Sequence, residues 1–451
     1  MYSPFQLSKS TFMYGCQCPK RLYLHKKYKH LANPEDEKQE AVFAAGTDSG
    51  LLARQLFPDG VDASPPDAFQ YALAAKNTQA YVATHFVIYE ATFIYNGVMC
   101  AIDILVRKGN QWYAFEVKGT NSVKAQHITD AALQYAVITG SGLELADFSI
   151  VHFNKTYVRK GEIDVQQLFS ATSVINEVWR EQDIIIEKIG ELKQTLEQAD
   201  IPEMAVGSQC MKPYPCNFTE YCFRDIEEVE IPEAKGNIEV FVEPLKGFME
   251  DIHYPLYFFD FETMMYGVPQ FDDSSPWQQL PFQYSVHIQQ TETSELEHRF
   301  FLGDGITDPR EALVQQLFTD IGTTGTILVY YKPFEIGRLK EFAILFPQHK
   351  AAIENIVSRI VDLIVPFKKG MVKIPATQGS NSIKDVLPAL VPELSYEKLN
   401  IQEGNTASFK YTQLGNMSLI DQHFTQQDLL AYCELDTLAM VKIWEWLRKE
   451  L

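Results

Sequence analysis

The chain has 451 residues, of which 46% are hydrophobic and 12% aromatic, and it carries a formal net charge of −20. The length exceeds one ordinary hydrophobic core, and the absence of a bilayer-length apolar run or a signal-peptide centre predicts a soluble, cytoplasmic, globular protein with no membrane partner. Because phosphate binding depends on Lys and Arg, the acidic balance excludes a surface that binds nucleic acid everywhere and leaves local basic patches, such as CPKRLYLHKKYKH at 18–30.

The first half of the sequence alternates helical and strand-like segments. Apolar spacing predicts helices over 36–56 and 69–83, followed by three strand-like runs that Asn-Gly and Gly-Asn turn signals separate. A helix over 124–139, a further strand and a long helix over 168–199 come next. This order predicts a mixed domain over residues 1–225.

An acidic stretch broken by Pro and Gly follows at 226–253 and predicts a linker with one short helix near its end. Beyond it lie four strand-like runs and three helical segments, the last over 425–450. We therefore predict an α/β (α+β) protein whose second domain covers 254–451.

Three cysteines in CMKPYPCNFTEYC share one spacing, with five residues between each pair: Cys210, Cys216 and Cys222. In a cytoplasmic protein such thiols bind metal or iron–sulfur more often than they form disulfides, although three buried free cysteines are the plainer alternative. A [4Fe–4S] cluster takes four thiolates, and Cys18 is the nearest fourth ligand, with Cys16 as its competitor. Zinc is the second candidate, because four cysteines accept either group.

An acid and an acid–lysine pair occupy neighbouring predicted strands in AIDILVRKGNQWYAFEVKG. Glu116 and Lys118 alternate, so the period of two places both on one face, where the hairpin can bring Asp103 beside them. Two carboxylates beside an ammonium predict a divalent-metal site in which the lysine orients or activates the attacking water. An exposed cross-strand ion pair is the structural alternative.

This order of Asp, turn and Glu-x-Lys, with one cysteine before it and three after it, resembles the PD-(D/E)XK core of the RecB-like iron–sulfur nucleases, including those of CRISPR systems and of AddB-type helicase–nucleases. The resemblance implies a restriction-endonuclease-like fold, Mg²⁺ or Mn²⁺ on Asp103 and Glu116, and a helical glutamine motif at Gln134. Two positions depart from the family pattern: Ile138 replaces the tyrosine of QxxxY, and Thr-Asp-Ser at 47–49 stands where relatives often place a histidine ligand. Glu90 is a candidate additional acid.

In the second half, the apolar strand PLYFFDFETMMYG carries Asp260 and Glu262, which point to the same side because they are two residues apart. Like charges in an apolar setting need a compensating cation, so the motif predicts a metal site. Tyr432 and Asp436, four apart on a predicted helix, present a phenol and a carboxylate on one face. Glu335, at a strand-to-helix junction, is either a further site acid or an acid favoured by the positive end of the helix.

The order DFE, then an acid at a strand-to-helix junction, then YxxxD, resembles the DEDDy branch of the DnaQ-like 3′–5′ exonucleases, which have the ribonuclease H fold. The resemblance implies that Asp260, Glu262 and Asp436 hold two Mg²⁺ or Mn²⁺ ions and that Tyr432 helps to position the water nucleophile. Glu335 would take a place that is usually Asp. Some of five further residues are expected to line the substrate groove, with phosphate contact through Lys, although residues of these types are more often surface residues than ligands: Asp362, Lys368, Lys369, Ser382 and Lys384.

The two resemblances together cover nearly the whole chain. Motifs such as CMKPYPC, YFFDFET, GSNSIKDVLP and YCELDT are similar to those of a bacterial family that joins a RecB-like iron–sulfur domain to a DnaQ-like domain. They imply a bifunctional metal-dependent nuclease that acts on nucleic acid, with DNA ends or single strands as the expected partner and a structural cluster. Two alternatives stay open, a nucleic-acid-binding clamp with an inactive N-terminal half and an exonuclease for RNA or small nucleotides.

Overall fold

The computed structural model describes residues 5–34, 49–67, 70–224 and 237–451. The chain divides into two compact units, Met1–Glu227 with Gly267–Trp277, and Glu228–Tyr266 with Gln278–Leu451. Both are mixtures of helices and strands, which confirms the prediction of a mixed α and β protein, while the predicted domain limits at 225 and 254 stay a prediction. No helix in the described ranges has the length and apolarity that a membrane crossing requires.

The first unit is built on a seven-stranded mixed sheet, in which six strands follow the order β2-β3-β4-β5-β6-β7 and β1 pairs with β4. Its strands are β1 (Leu7–Ser8), β2 (Val61–Asp62), β3 (Val87–Tyr95), β4 (Val98–Lys108), β5 (Gln111–Lys118), β6 (Leu145–Phe153) and β7 (Phe169–Ser173). Strands β3 to β5 form an antiparallel meander, and β6 is parallel to β5. Asn96 and Gly97 have φ of 45° and 63°, the left-handed conformation that makes Asn-Gly a favoured hairpin turn.

A helix connects β5 to the parallel strand β6, since a parallel pair needs a crossover. The helices whose two ends both lie in the described residues of this unit are Lys9–Gln17, Pro19–Lys27, Tyr71–Thr84, Ala125–Gly140, Val165–Leu168, Ile175–Glu197 and Thr219–Phe223. The largest core joins β3, β4 and β6 to Ala125–Gly140 and Ile175–Glu197 through buried residues that include Ile102, Leu133 and Phe148. Most of the helix predicted over 36–56 lies outside the described residues.

The segment Gly267–Trp277 belongs to the first unit although it comes from the connection between two strands of the second. Arg159 Nη1 donates to the carbonyls of Pro269 and Gln270 at 2.9 and 2.7 Å. The Trp277 ring packs edge-to-face on Phe153 with a centroid separation of 6.4 Å. The first unit therefore includes residues from two separate stretches of sequence.

The second unit is built on a five-stranded sheet in the order β11-β10-β9-β12-β13, with a two-stranded sheet of β8 and β14. Its strands are β8 (Glu239–Val240), β9 (Leu256–Met264), β10 (Leu280–Gln289), β11 (Leu296–Leu302), β12 (Thr326–Val329), β13 (Ile360–Asp362) and β14 (Val372–Lys373). Strand β10 is antiparallel to β9 and β11, whereas β12 is parallel to β9 and β13 is parallel to β12.

Helices cover both faces of this sheet, which is why β9 is apolar on both sides. They are Val242–Met249, Arg310–Asp320, Lys332–Leu345, Lys350–Ser358, Val365–Lys368, Ile383–Leu390, Gly404–Gln413 and Leu419–Lys449. Phe259 and Phe261 pack toward Arg310–Asp320 and Lys332–Leu345. On the other face, Leu256 and Phe258 pack with the C-terminal helix, Leu419–Lys449. The period of two places Asp260 and Glu262 on this second face.

Candidate active site

A pocket of about 630 Å³ opens over the acids of β9 in the second unit. Asp260 and Glu262 line it from the strand, and Tyr432 and Asp436 line it from the C-terminal helix. The structure thus brings together four of the five residues that the sequence predicted for this site. Carboxylates that converge in a concave pocket of this size are typical of a ligand or catalytic site.

Burial dominates the electrostatics of this acid group. It raises the pKa of Asp260 and of Glu262 well above their usual range, and the neighbouring carboxylates raise both further. Burial also raises the pKa of Asp436, to about 6, although hydrogen bonds and Lys384 act against it. These acids resist simultaneous ionisation because they share a site with little positive charge.

The buried thiol of Cys433 adjoins the same acids. Its sulfur and one carboxylate oxygen from each of Asp260 and Glu262 lie within 4.8 Å of one another. Hard cations such as Mg²⁺ prefer oxygen ligands, so the carboxylates are the better ligands of the three.

The sequence reasoning missed two residues of this site, one that hydrogen-bonds to a pocket acid and one that lines the pocket. The hydroxyl of Tyr396 donates to Asp436 Oδ1 at 2.6 Å and so favours the ionised form of that acid. Gly404 lines the pocket where a Cβ atom would lie 3.6 Å from Glu262 Oε2, so its lack of a side chain leaves space above the acids. Both residues lie in the segment between the second and third motifs, where no periodic pattern marks them.

Glu335, the fifth predicted residue, has a different position. It is 1% exposed in the first turn of Lys332–Leu345, and the Phe261 backbone N–H donates to its carboxylate. Burial raises its pKa well above the usual range, and Asp260 and Glu262 raise it further. Its Oε2 atom has no hydrogen-bond partner among the described residues. The carboxylate is therefore close to the β9 acids but outside the pocket lining that the described residues form.

Among the five expected groove residues, Lys384 lines the pocket. Its ammonium donates to the Gln402 carbonyl at 2.6 Å. Ser382 accepts from Lys384 N at the start of helix Ile383–Leu390, and Asp362 accepts from Tyr331 N and Lys332 N at 2.9 and 2.8 Å. These two side chains stabilise helix starts. Lys368 and Lys369 lie outside the pocket lining formed by the described residues.

In the first unit, the predicted acid–lysine site forms around Glu116. One oxygen of this buried carboxylate, Oε1, accepts from Lys118 Nζ at 2.8 Å and from Lys9 Nζ at 2.7 Å. Asp103 accepts from the Val117 backbone N–H at 2.6 Å. The short spacing on β4 and β5 thus brings Asp103, Glu116 and Lys118 together as the sequence predicted, and Lys9 is an addition.

The adjacent helix, Ala125–Gly140, extends this network. Lys118 Nζ also donates to Asp130 at 2.5 Å, and Gln134 Nε2 donates to the other Asp130 oxygen at 3.2 Å. Gln134 is fully buried. Gln134 therefore orients Asp130, which shares the Lys118 ammonium with Glu116.

The ammonium groups set the ionisation of the two strand acids. Burial alone would raise the pKa of Glu116, but Lys118 and Lys9 outweigh it and hold the pKa at about 2. Burial and the Glu116 charge raise the pKa of Asp103 to about 7. Beside Glu116, where a metal ion would bind, the ammonium groups of Lys9 and Lys118 thus already supply two positive charges.

The other acid considered for this site, Glu90, pairs with Arg54 Nη2 at 3.2 Å. Burial raises the pKa of Glu90. Of the three residues at the position of the expected histidine, Ser49 is buried, and Thr47 and Asp48 lie outside the described residues.

The four predicted cysteine ligands, Cys18, Cys210, Cys216 and Cys222, line one small pocket. Cys16 instead packs against the main core of the first unit. The described groups whose ligand atoms all lie within 4.8 Å of one another do not include these cysteines.

Comparisons with known proteins match parts of the chain. A family model described as a domain of unknown function, DUF2779, matches residues 257–382, which contain Asp260, Glu262 and Glu335. Uncharacterized protein UU173 of Ureaplasma parvum is 28% identical over 217 residues, 43% of this chain and 31% of that protein. The uncharacterized MG366 homolog of Mycoplasma pneumoniae is 27% identical over 206 residues, 41% of this chain and 31% of that protein. The chain thus spans about a third of the length of the curated relatives it matches.

Proposed function

We propose that the protein is a metal-dependent nuclease whose second unit is a DnaQ-like 3′–5′ exonuclease acting on nucleic acid, with DNA as the expected substrate. One observation carries this proposal: carboxylates on β9 and on the C-terminal helix, of which Glu262 and Asp436 are buried, converge on an open pocket with one lysine in the described lining. Such a group is costly unless cations compensate it.

The sheet topology supports the same assignment. The second strand of the five, β10, is antiparallel to its neighbours, and the order β11-β10-β9-β12-β13 places the first strand at the centre. This order is the one expected of a ribonuclease H-like domain, and it supports the proposal. The meander β3 to β5, followed by a helix and the parallel strand β6, likewise fits a PD-(D/E)XK core for the first unit.

Asp260, Glu262 and Asp436 would hold the divalent ions. Two such ions supply activation of the attacking water and stabilisation of the leaving oxygen in phosphodiester hydrolysis. Tyr432, on the helix turn before Asp436, would hold the water in line with the scissile phosphate, and Tyr396 keeps Asp436 ionised and oriented. Lys384 would bind a phosphate oxygen of the substrate at the pocket rim.

The cysteine pocket would hold a [4Fe–4S] cluster with a structural role. Four cysteines from distant parts of the first unit line this pocket together, and four is the number of thiolates that such a cluster takes. The iron content of anaerobically purified protein tests whether the cluster is present. Cys216→Ser is expected to lose the iron and the visible colour, whereas the matched variant Cys16→Ser keeps both. A colourless wild type with stoichiometric zinc would contradict the cluster.

A second candidate concerns the first unit, which would bind nucleic acid without hydrolysing it. The observation that favours it is the ammonium of Lys9 on Glu116, because it supplies the charge that a catalytic metal ion would otherwise provide. A bifunctional nuclease is the alternative, since Asp103, Glu116 and Lys118 are all in place.

Degradation of 5′-labelled single-stranded DNA, double-stranded DNA and RNA in Mn²⁺ or Mg²⁺ tests the exonuclease. The wild type is expected to shorten its substrate from the 3′ end, and Asp260→Asn is expected to lose about 10³-fold in rate, several kcal/mol of transition-state stabilisation. The control Asp251→Asn replaces an exposed acid and is expected to match the wild type. Equal rates for Asp260→Asn and wild type would overturn the assignment.

The same assay separates the two candidates for the first unit. If Asp260→Asn retains internal cleavage that Asp260→Asn/Lys118→Ala loses, the first unit is a second nuclease. If Asp260→Asn leaves no cleavage but still binds labelled DNA in a mobility-shift assay, the first unit acts as a clamp.

A further inference from the structure

A pair of histidines and a glutamate lie beside the carboxylate pocket in the second unit but take no part in the proposed nuclease chemistry. His287 on β10 is directly opposite His298 on β11, and their rings stack with centroids 4.5 Å apart. Glu434 reaches them from the C-terminal helix, with Oε1 3.7 Å from His298 Nδ1. One ligand atom from each of the three lies within 4.8 Å of the others.

The ring nitrogens that face away from this group are already fixed by hydrogen bonds. His287 Nδ1 bonds to the Thr437 hydroxyl at 2.8 Å, and His298 Nε2 bonds to the Ser285 hydroxyl at 2.8 Å. Each bond leaves the other nitrogen of its ring for an ion. Histidines that bind metals have this arrangement, because the second hydrogen bond fixes the tautomer and the direction of the lone pair.

The two hydroxyls are themselves linked. Ser285 Oγ and Thr437 Oγ1 lie 2.7 Å apart, so one hydrogen-bonded unit supports both rings from a strand and from the C-terminal helix. The group is therefore preorganised from three elements of the unit: β10, β11 and the C-terminal helix.

We propose that His287, His298 and Glu434 form a binding site for Zn²⁺, separate from the carboxylate pocket and independent of the nuclease assignment. Two imidazoles and one carboxylate suit a borderline ion such as Zn²⁺ and not Mg²⁺, which prefers oxygen ligands. Three protein ligands leave the fourth tetrahedral position to water. The Glu434 side chain is 49% exposed, so solvent reaches the site.

Zinc here would fix the C-terminal helix on the strand pair β10 and β11. Glu434 lies between Tyr432 and Asp436 on that helix, so the ion stabilises the turn that carries both pocket residues. The ion itself has no place in the hydrolysis. Its effect would be a zinc-dependent rise in the thermal midpoint of the protein.

Isothermal titration of the full-length protein with ZnCl₂, with excess Mg²⁺ present to occupy the carboxylate pocket, tests the site. The wild type is expected to bind one more zinc than His298→Gln and Glu434→Gln. The matched variant His423→Gln, at an exposed histidine of the same helix, is expected to bind as the wild type does. Thermal midpoints measured in chelator check that each variant is folded. If His298→Gln fails to fold, Glu434→Gln still tests the site, because its side chain is half-exposed and its replacement disturbs the core less.

Zinc K-edge X-ray absorption of the loaded proteins identifies the ligands. The zinc that distinguishes wild type from Glu434→Gln should have nitrogen and oxygen neighbours at about 2.0–2.1 Å. Sulfur neighbours at about 2.3 Å would assign it to the cysteine pocket and overturn the proposal. Identical zinc binding in wild type, His298→Gln and Glu434→Gln would overturn it as well.

Discussion

The two groups of buried acids differ in the source of their positive charge. Around Glu116 the chain provides two ammonium groups, and the pKa of that acid falls to about 2. Around Asp260 and Glu262 the described pocket lining has Lys384, and both pKa values rise well above their usual range. Two sequence patterns that predict the same metal chemistry thus form one site whose acid is neutralised by lysines and one site whose acids have too little positive charge of their own.

Charge removal should have opposite effects at the two sites. Glu116→Gln is expected to lower the free energy of unfolding of the first unit by about 3.5 kcal/mol, because Lys9 and Lys118 keep their charge without a carboxylate partner. Hydrogen–deuterium exchange of β5 peptides measures this locally. The exposed control Glu144→Gln should stay within about 0.5 kcal/mol of wild type.

In the second unit, Asp260→Asn is expected to raise the stability of protein kept in chelator, since it removes a carboxyl group whose ionisation is opposed by desolvation and by Asp436. Exchange of β9 peptides is the measurement. If Asp260→Asn and Glu116→Gln destabilise their units alike, the contrast between the sites is wrong.

The next effect is a pH dependence. The folded-state pKa of Asp436 is about 6, above its ordinary value of 3.8, so its contribution to stability is full below that ordinary value and is lost as the pH rises through 6. Wild type in chelator should lose about 3 kcal/mol over this range relative to Asp436→Asn. This difference isolates Asp436 from Asp103, whose pKa is also raised. Parallel pH curves for the two proteins would contradict the assignment.

Divalent ions should reverse that loss. At a Mn²⁺ concentration 100 times its Kd, the second unit is expected to gain about 2.7 kcal/mol, because the ion binds the folded site alone. Glu262→Gln should remove most of the gain, and Glu116→Gln should leave it intact. Thermal midpoints of the three proteins with Mn²⁺ and with chelator provide the comparison. A gain that survives in Glu262→Gln would locate the ion elsewhere.

The smallest effect concerns the tyrosine that supports Asp436. Tyr396→Phe removes the hydroxyl donor at 2.6 Å and is expected to cost about 1.5 kcal/mol of Mn²⁺ affinity, roughly tenfold in Kd, because Asp436 then ionises less readily. Tyr411→Phe, which removes a buried hydroxyl that accepts from the Gly305 backbone N–H, is the control. Equal Mn²⁺ affinity in Tyr396→Phe and wild type would show that the hydrogen bond has no part in the site.

The strand acids were predictable because their spacing is local. The period of two in β5 and β9 and the four-residue spacing of Tyr432 and Asp436 placed pairs of side chains on common faces. Lys9 and Tyr396 had no such signal. Lys9 lies 107 residues from Glu116 and Tyr396 lies 40 residues from Asp436, so their contacts follow from tertiary packing.

The charge state of each site was also beyond the sequence. The motif Asp, turn, Glu-x-Lys predicted a metal site, but the effect of Lys9 depends on how the first helix lies against β4 and β5. His287 and His298 are a similar case, since their meeting depends on the register of a hairpin. Register and helix placement depend on the whole core.

The loop between β9 and β10 has a consequence for genetic dissection of the protein. Because Gly267–Trp277 belongs with the first unit, the polypeptide passes between the units three times, and no single cleavage or truncation separates them. A gene fragment that encodes residues 1–227 lacks the carbonyls that Arg159 binds and the indole that Phe153 packs against. A chimaera in which one unit comes from a relative therefore has to take this loop from the same protein as the first unit.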